Sequence, residues 1–220
     1  MLISLPPGFD PVAFLQANTR PVAPPTVPEL PVYTADALTP LWEATEASLG
    51  KAGIEPPFWA FAWPGSVALA RWILDHPAEL AGRRVLDVGT GNGLAALAAA
   101  RVGASVTAND VDEMALAATR VNAALNGVCV DTLHADLTTG VAIDAALVLV
   151  GDLFYERTVS ARLFAWLQGL ARDRRVIVSE PGRAFAPRAG VRTIARYTVP
   201  TTRELESGTE REVVILEVCP

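Results

Sequence analysis

Lysine is nearly missing from this chain: Lys and Arg together number 18, and Lys51 is the single lysine. The bias toward Arg and Ala reflects base composition and carries no catalytic reading. Cysteine is scarce too. Cys129 and Cys219 have no C-x-x-C spacing, which excludes a disulfide framework and a zinc site, so no metal is expected. Two reduced thiols fit a cytosol. His76 and His134 are the only histidines and read as ordinary structural residues. A basic surplus is absent: the net charge is −6 and the pI about 5.0, which argues against a nucleic-acid surface. The apolar run from Leu94 to Val102 is too short to span a bilayer, so no membrane partner is expected. The first residues lack a leader's pattern, with Pro6 and Pro7 in place of an apolar core and Asp10 ahead of the first Arg, Arg20. A cytoplasmic location is therefore expected. Two glycine motifs are missing as well. There is no G-x-x-x-x-G-K-[ST] phosphate loop, and Leu94 stands where a dinucleotide G-x-G-x-x-G would carry its third Gly.

What is present is apolar and ordered. At 220 residues, half of them hydrophobic, the chain is long enough for one well-filled domain. Residues 1–54 are expected to form a proline-rich arm and a helix, and 55–220 the main domain. Prolines at 21, 24, 25, 28 and 31 favour extended backbone and forbid helix around them. Phe9, Phe14, Leu15, Val27, Leu30, Val32 and Tyr33 are too apolar for a disordered tail, so the arm is expected to pack on the domain or a partner. Thr39 predicts an N-cap for a helix over 40–52 that ends at Gly53. An aromatic loop follows at 58–66, and Pro64 suits the first turn of the next helix. From Arg84 onward short apolar strands alternate with helices, which predicts a doubly wound parallel sheet. Residues 191–199 and 211–218 predict a closing hairpin at the sheet edge, turning near Ser207-Gly208.

The alternation brackets one motif that carries chemistry. Val85–Val88 reads as a strand, Gly89-Thr90-Gly91-Asn92-Gly93 as a turn into a helix, and Asp110 as the end of the next strand. In open α/β sheets ligands bind at the carboxyl ends of strands. Glycines there let backbone approach a ligand. An acid after the second strand accepts hydrogen bonds from two ribose hydroxyls. The D-x-G-x-G-x-G form resembles motif I of the class I S-adenosylmethionine methyltransferases. That resemblance implies a cofactor site of Asp87, Gly89, Thr90, Gly91, Asn92, Gly93 and Asp110, with Asp136 beside the adenine and Trp63 nearby. Asp112 reads as a helix cap.

The fourth strand ends in Gly151-Asp152-Leu153-Phe154-Tyr155, where methyltransferases of this class bind the methyl acceptor. Enzymes acting on neutral planar nitrogens carry N-P-P-[YF] there. An acid in a D-x-x-Y arrangement suits a cation instead, and a lysine amine, with a reference pKa of about 10.4, arrives as one. Asp152 is therefore expected to bind and aim the amine. Which group removes its proton stays open: water, or the Asp152 carboxylate itself. The catalytic pair is expected to be Asp152 and Tyr155, and the acceptor wall Trp59, Trp63, Phe154 and Tyr155, whose rings suit cations.

The match then widens. The segment 57–65, Leu69-Ala70-Arg71-Trp72, 87–93, 108–112, 151–155 and Glu180-Pro181-Gly182-Arg183 together resemble the electron transfer flavoprotein beta subunit lysine methyltransferase family over residues 55–220. The resemblance implies a Rossmann-like α/β fold. Its seven-stranded sheet is mostly parallel with an antiparallel C-terminal strand, and helices cover both faces. It also implies a protein substrate, the electron transfer flavoprotein. Ribosomal-protein or nicotinamide-type N-methylation, and a non-catalytic S-adenosylmethionine-binding module, stand as alternatives.

Overall fold

A computed structural model describes residues 2–49, 56–202, 206 and 208–220. The chain opens with helix α1 (Pro11–Asn18), strands β1 (Arg20–Val22) and β2 (Val32–Thr34), and helix α2 (Leu38–Leu49). Helix α3 (Pro64–Asp75) leads into β3 (Arg84–Val88), α4 (Leu94–Arg101), β4 (Ser105–Asp110), α5 (Glu113–Asn126) and β5 (Asp131–His134). Then come β6 (Leu147–Gly151), α6 (Arg157–Leu170), β7 (Arg175–Glu180), β8 (Val191–Pro200) and β9 (Glu210–Val218).

The main sheet has seven strands in the order β5-β4-β3-β6-β7-β9-β8. The first five are parallel neighbours, and β9 runs antiparallel to both β7 and β8. The expected closing hairpin is present, but the last strand slots inside it and leaves β8 at the edge. Its turn lies partly outside the described residues.

Strand alternation fills both faces. Val85, Leu147, Leu149 and Ile177 point into a cluster with α3 and α4, while Leu86, Val88, Val148, Val150, Val176 and Val178 meet Leu163 and Leu167 of α6 on the other side. Successive side chains of a strand face opposite ways, so a strand covered twice is apolar throughout. The order of the strands places β3 and β6 side by side at the centre. Their carboxyl ends, and those of β4 and β7 beside them, form one rim. Among the described residues no helix is long and apolar enough to cross a membrane.

The arm departs from the extended chain expected of it. Asp10 Oδ1 accepts from the amides of Val12 and Ala13, both at 3.0 Å, and Pro11 occupies the first helical position, so α1 forms. Prolines 21–31 do keep their stretch non-helical, between β1 and β2. Val27, Leu30 and Val32 are fully buried in the same cluster as α3 and α4. Asn122 Oδ1 accepts from the amide of Tyr33 at 2.8 Å, and Asn126 Nδ2 donates to the carbonyl of Pro31 at 2.7 Å. Thr39 lies inside α2 rather than capping it, and the expected helix end at Gly53 falls outside the described residues.

Candidate cofactor and methyl-acceptor site

The turn after β3 runs through the left-handed region at Gly91 (φ 56°) and Gly93 (φ 87°). Only Gly adopts that region freely. A Cβ on Gly93 would lie 2.9 Å from Thr119 Cγ2, so α5 packs hard against the loop there. A Cβ on Gly91 would meet nothing within 4 Å. The loop thus leaves open space above Gly91, enough for a ligand to lie against bare backbone. Gly89, also left-handed, packs beneath the Leu153 side chain.

The acids converge on this loop. Asp87, at 2% exposure, accepts from Thr90 Oγ1 at 2.7 Å. Burial pushes its carboxyl up to about 7. Half-buried Asp110 accepts from the Gly91 and Asp112 amides, each at 3.0 Å, and desolvation raises it as well. Asp112 caps α5 through Met114, and desolvation, reinforced by Asp110, pushes it to about 7. Crowded carboxylates out of water favour a positively charged ligand.

The expected cofactor residues divide. Gly91 borders the open space with Asp110 bonded to its amide, while Gly89 is covered by Leu153. Thr90 is buried and bonded to Asp87. Asn92 is buried too: its Nδ2 donates to the Phe61 carbonyl at 3.0 Å and its Oδ1 accepts from Leu94, so it ties the glycine loop to the aromatic loop. Asp136 caps the turn after β5 through Thr138 and pairs with Arg162 at 3.2 Å; the Thr138 bond, chiefly, holds its pKa low. His134 Nε2 donates to the Val111 carbonyl, 3.0 Å away, and His76 stacks on Trp72. Neither reaches the loop by any of these contacts.

The acceptor end is built on the tips of β6 and β7. Asp152 is the sole non-glycine residue with positive φ, 61°, among those described. It is 7% exposed and accepts from the Gly65 amide at 3.1 Å. A Cβ on Gly65 would lie 2.7 Å from Asp152 Cβ, so the start of α3 presses on this turn. Both carboxylate oxygens of Asp152 hold Arg183: Nε at 2.6 Å and an Nη at 3.0 Å. The same guanidinium reaches Glu206 at 2.6 Å and lies 5.8 Å over the Trp63 ring.

Trp63, beside this cation, and exposed Tyr155 each lie against Phe58, at 5.6 and 5.5 Å between ring centres. Trp59 and Phe154 are not in that wall. Trp59 is 2% exposed in the cluster under α1, and Phe154 is fully buried against Phe164. Their apolar rings gain more by burial than at a polar rim, so of the four expected wall residues only Trp63 and Tyr155 are brought together, both against Phe58. Among the described residues no three His, Cys, Asp or Glu side chains are grouped to hold a metal ion.

A zebrafish (Danio rerio) electron transfer flavoprotein beta subunit lysine methyltransferase is 42% identical over 132 residues, 58% of this chain and 51% of that protein. The Caenorhabditis elegans homologue of that enzyme is 31% identical over 194 residues, 80% of this chain and 78% of its own length. The chain belongs to the electron transfer flavoprotein beta subunit lysine methyltransferase family. It spans about half the length of the zebrafish relative. The model of the ribosomal protein L11 methyltransferase (PrmA) family matches residues 71–152, from mid-α3 to Asp152. Magnesium protoporphyrin IX methyltransferase from Synechocystis PCC 6803, solved with bound SAH, superposes with a TM-score of 0.53 at 18% identity, over 70% of this chain and 81% of that one. That likeness establishes the class I methyltransferase fold.

Three site residues escaped the sequence reading of roles: Glu180, Arg183 and Glu206. One sign was available. Glu180 ends a strand of apolar residues, where an acid is out of place unless partnered. The pairing of Arg183 with Asp152, 31 positions apart, left no local pattern.

Proposed function

We propose that this chain is an S-adenosylmethionine-dependent protein-lysine N-methyltransferase acting on the electron transfer flavoprotein beta subunit. The family membership supports the substrate class, and the cation held between Asp152, Glu206 and Trp63 is the single observation that most favours a lysine acceptor. The residues fit the cofactor: backbone faces open space at Gly91, and Asp87, Asp110 and Asp112 favour a ligand with positive charge. When bound, S-adenosylmethionine supplies an electrophilic methyl on a sulfonium.

The chain's own residues do the rest. Backbone at Gly89, Thr90 and Gly91 would hold the donor, Asp110 would accept from the ribose hydroxyls, and Asp136 would stand at the adenine end. Asp152 takes the acceptor ammonium in place of the Arg183 guanidinium. Phe58, Trp63 and Tyr155 wall the alkyl chain and exclude water, which lowers the lysine pKa by desolvation. Holding the amine in line supplies much of the rate effect. A reducing cytoplasm in a bacterium is part of the same proposal; both cysteines are free.

Purified chain, labelled S-adenosylmethionine and electron transfer flavoprotein test the reading. Methyl-lysine is expected on the beta subunit by peptide mass spectrometry. Label on ribosomal protein L11 instead, included because of the family model over 71–152, would move the substrate. No cofactor binding by calorimetry would end the proposal.

A further inference from the structure

An acceptor amine that arrives as an ammonium must lose a proton before its lone pair can attack. The strand-tip residue expected to handle it, Asp152, is already engaged. Its oxygens hold Arg183 twice and the Gly65 amide once. Both oxygens are occupied by donors, so neither faces the amine while Arg183 is in place.

A second acid stands on the neighbouring tip. Strands β6 and β7 pair in register through Gly151 and Ser179, and the Asp152 amide donates to the Ser179 carbonyl at 3.1 Å. Asp152 and Glu180 are thus the next residues on adjacent parallel strands. Glu180 is 3% exposed. Its Oε1 accepts from the Arg183 amide. Its Oε2 is buried and has no hydrogen-bond partner among the described residues. A buried carboxylate oxygen left without a donor is unfavourable and uncommon. The strand's apolar positions end at Val178 while burial continues through Ser179 and Glu180, and the turn that follows uses only Oε1.

Resting on the lysine-methyltransferase reading, we propose that Glu180 is the general base, its Oε2 taking the proton from the acceptor Nζ. The N–H bond breaks as the O–H bond forms, and the freed lone pair makes the N–C bond. The C–S pair returns to sulfur, so that a neutral thioether and a methylated ammonium result. Asp152 keeps the role of aiming the cation. Arg183 spans the mouth between Asp152 and Glu206, and a guanidinium does not lose its proton in this range. It therefore holds the place of the amine without competing as an acid. Arrival of the acceptor and departure of the Arg183 side chain are one event, and that event opens Oε2.

The charges acting on Glu180 are Asp152, just beyond β6, and Arg183 from its own turn; Arg183 is in turn paired with Glu206, which also meets Arg211 of β9. Burial foremost, with the Asp152 charge, pushes Glu180 up to about 7 against the donating amides of Arg183 and Gly182. A base poised near the working pH is the efficient one.

The test is Glu180→Gln beside Asp152→Asn, assayed from about pH 5.5 to 9 on the flavoprotein. Wild type is expected to lose kcat below about pH 7. E180Q should lose that acid limb and about 10²–10⁴-fold in kcat, with KM and cofactor affinity within about twofold. D152N should instead raise the acceptor KM. Independently of turnover, a glutamate carboxyl 13C resonance titrating near 7 in the ligand-free protein should vanish in E180Q. If E180Q does not fold, Glu180→Asp assigns the resonance by moving it. An active wild type with E180Q equally active and the same pH limb, or a Glu180 resonance titrating near 4, overturns the proposal alone. A wild type that methylates no lysine overturns the underlying reading with it.

Discussion

Gly91 and Gly93 stand two positions apart and answer to different constraints. Both need a left-handed backbone, which costs a residue with a Cβ about 1–2 kcal/mol. At Gly93 the added carbon also strikes Thr119, whereas at Gly91 it enters open space. Gly91→Ala is therefore expected to cost about 1–2 kcal/mol in urea unfolding yet weaken S-adenosylmethionine binding at least about tenfold by calorimetry. Gly93→Ala should cost more stability, about 2–4 kcal/mol with the clash added to the backbone cost. A Gly91→Ala protein that binds the cofactor normally would put the ligand elsewhere. At this scale the sequence was most readable where chemistry and backbone coincide: the glycines, Asp110 and the strand-tip Asp152 all sit on one rim. It was least readable where a residue's role depends on a distant partner. Asn92 reads as a ligand contact until Phe61 is seen beside it, and Asp152 reads as free until Arg183 is.

The elements tell a similar story with a different cause. The central strands β3, β6 and β7 follow from apolar runs, because both sheet faces are covered there. The arm does not, because proline density spoke louder than the Asp10-Pro11 start signal for α1. Its burial follows from three positions, Val27, Leu30 and Val32, inside the cluster of α3 and α4. Leu30→Ala is expected to cost about 2–4 kcal/mol, read from a denaturant midpoint, as for a core leucine. A loss under about 0.5 kcal/mol, the size of a surface substitution, would make the arm a detachable appendage. The edge position of β8 was also hidden: hairpin signals say that two strands pair, not which one enters the sheet.

For the molecule as a whole, the acids set the pH response. Asp87, Asp112 and Glu180 have carboxyls near 7 when folded, against ordinary values of 3.8 and 4.5. Between about pH 4 and 7 the unfolded chain has released protons that the folded chain keeps. Stability must then fall as pH rises through that window and level off above it. Each group contributes about 1.4 kcal/mol for every tenfold by which the folded chain binds its proton more tightly than the unfolded one. Groups with lowered values, such as Asp136, act in the opposite sense but at lower pH. The ligand-free protein is expected to show a higher urea midpoint at about pH 5 than at about pH 8, and Asp87→Asn to flatten the slope. A midpoint that climbs steadily over that range would contradict those burial effects.

Strand β9 lies between two strands made before it. Until it emerges during synthesis, β8 has no neighbour in the main sheet and β7 has one bare side. Glu206, in the link just ahead of β9, also steadies the guanidinium over Trp63. On the proposed reading the acceptor side of the pocket is therefore completed after the cofactor side, because Glu206 and β9 follow the strands that carry the glycine loop and Asp110.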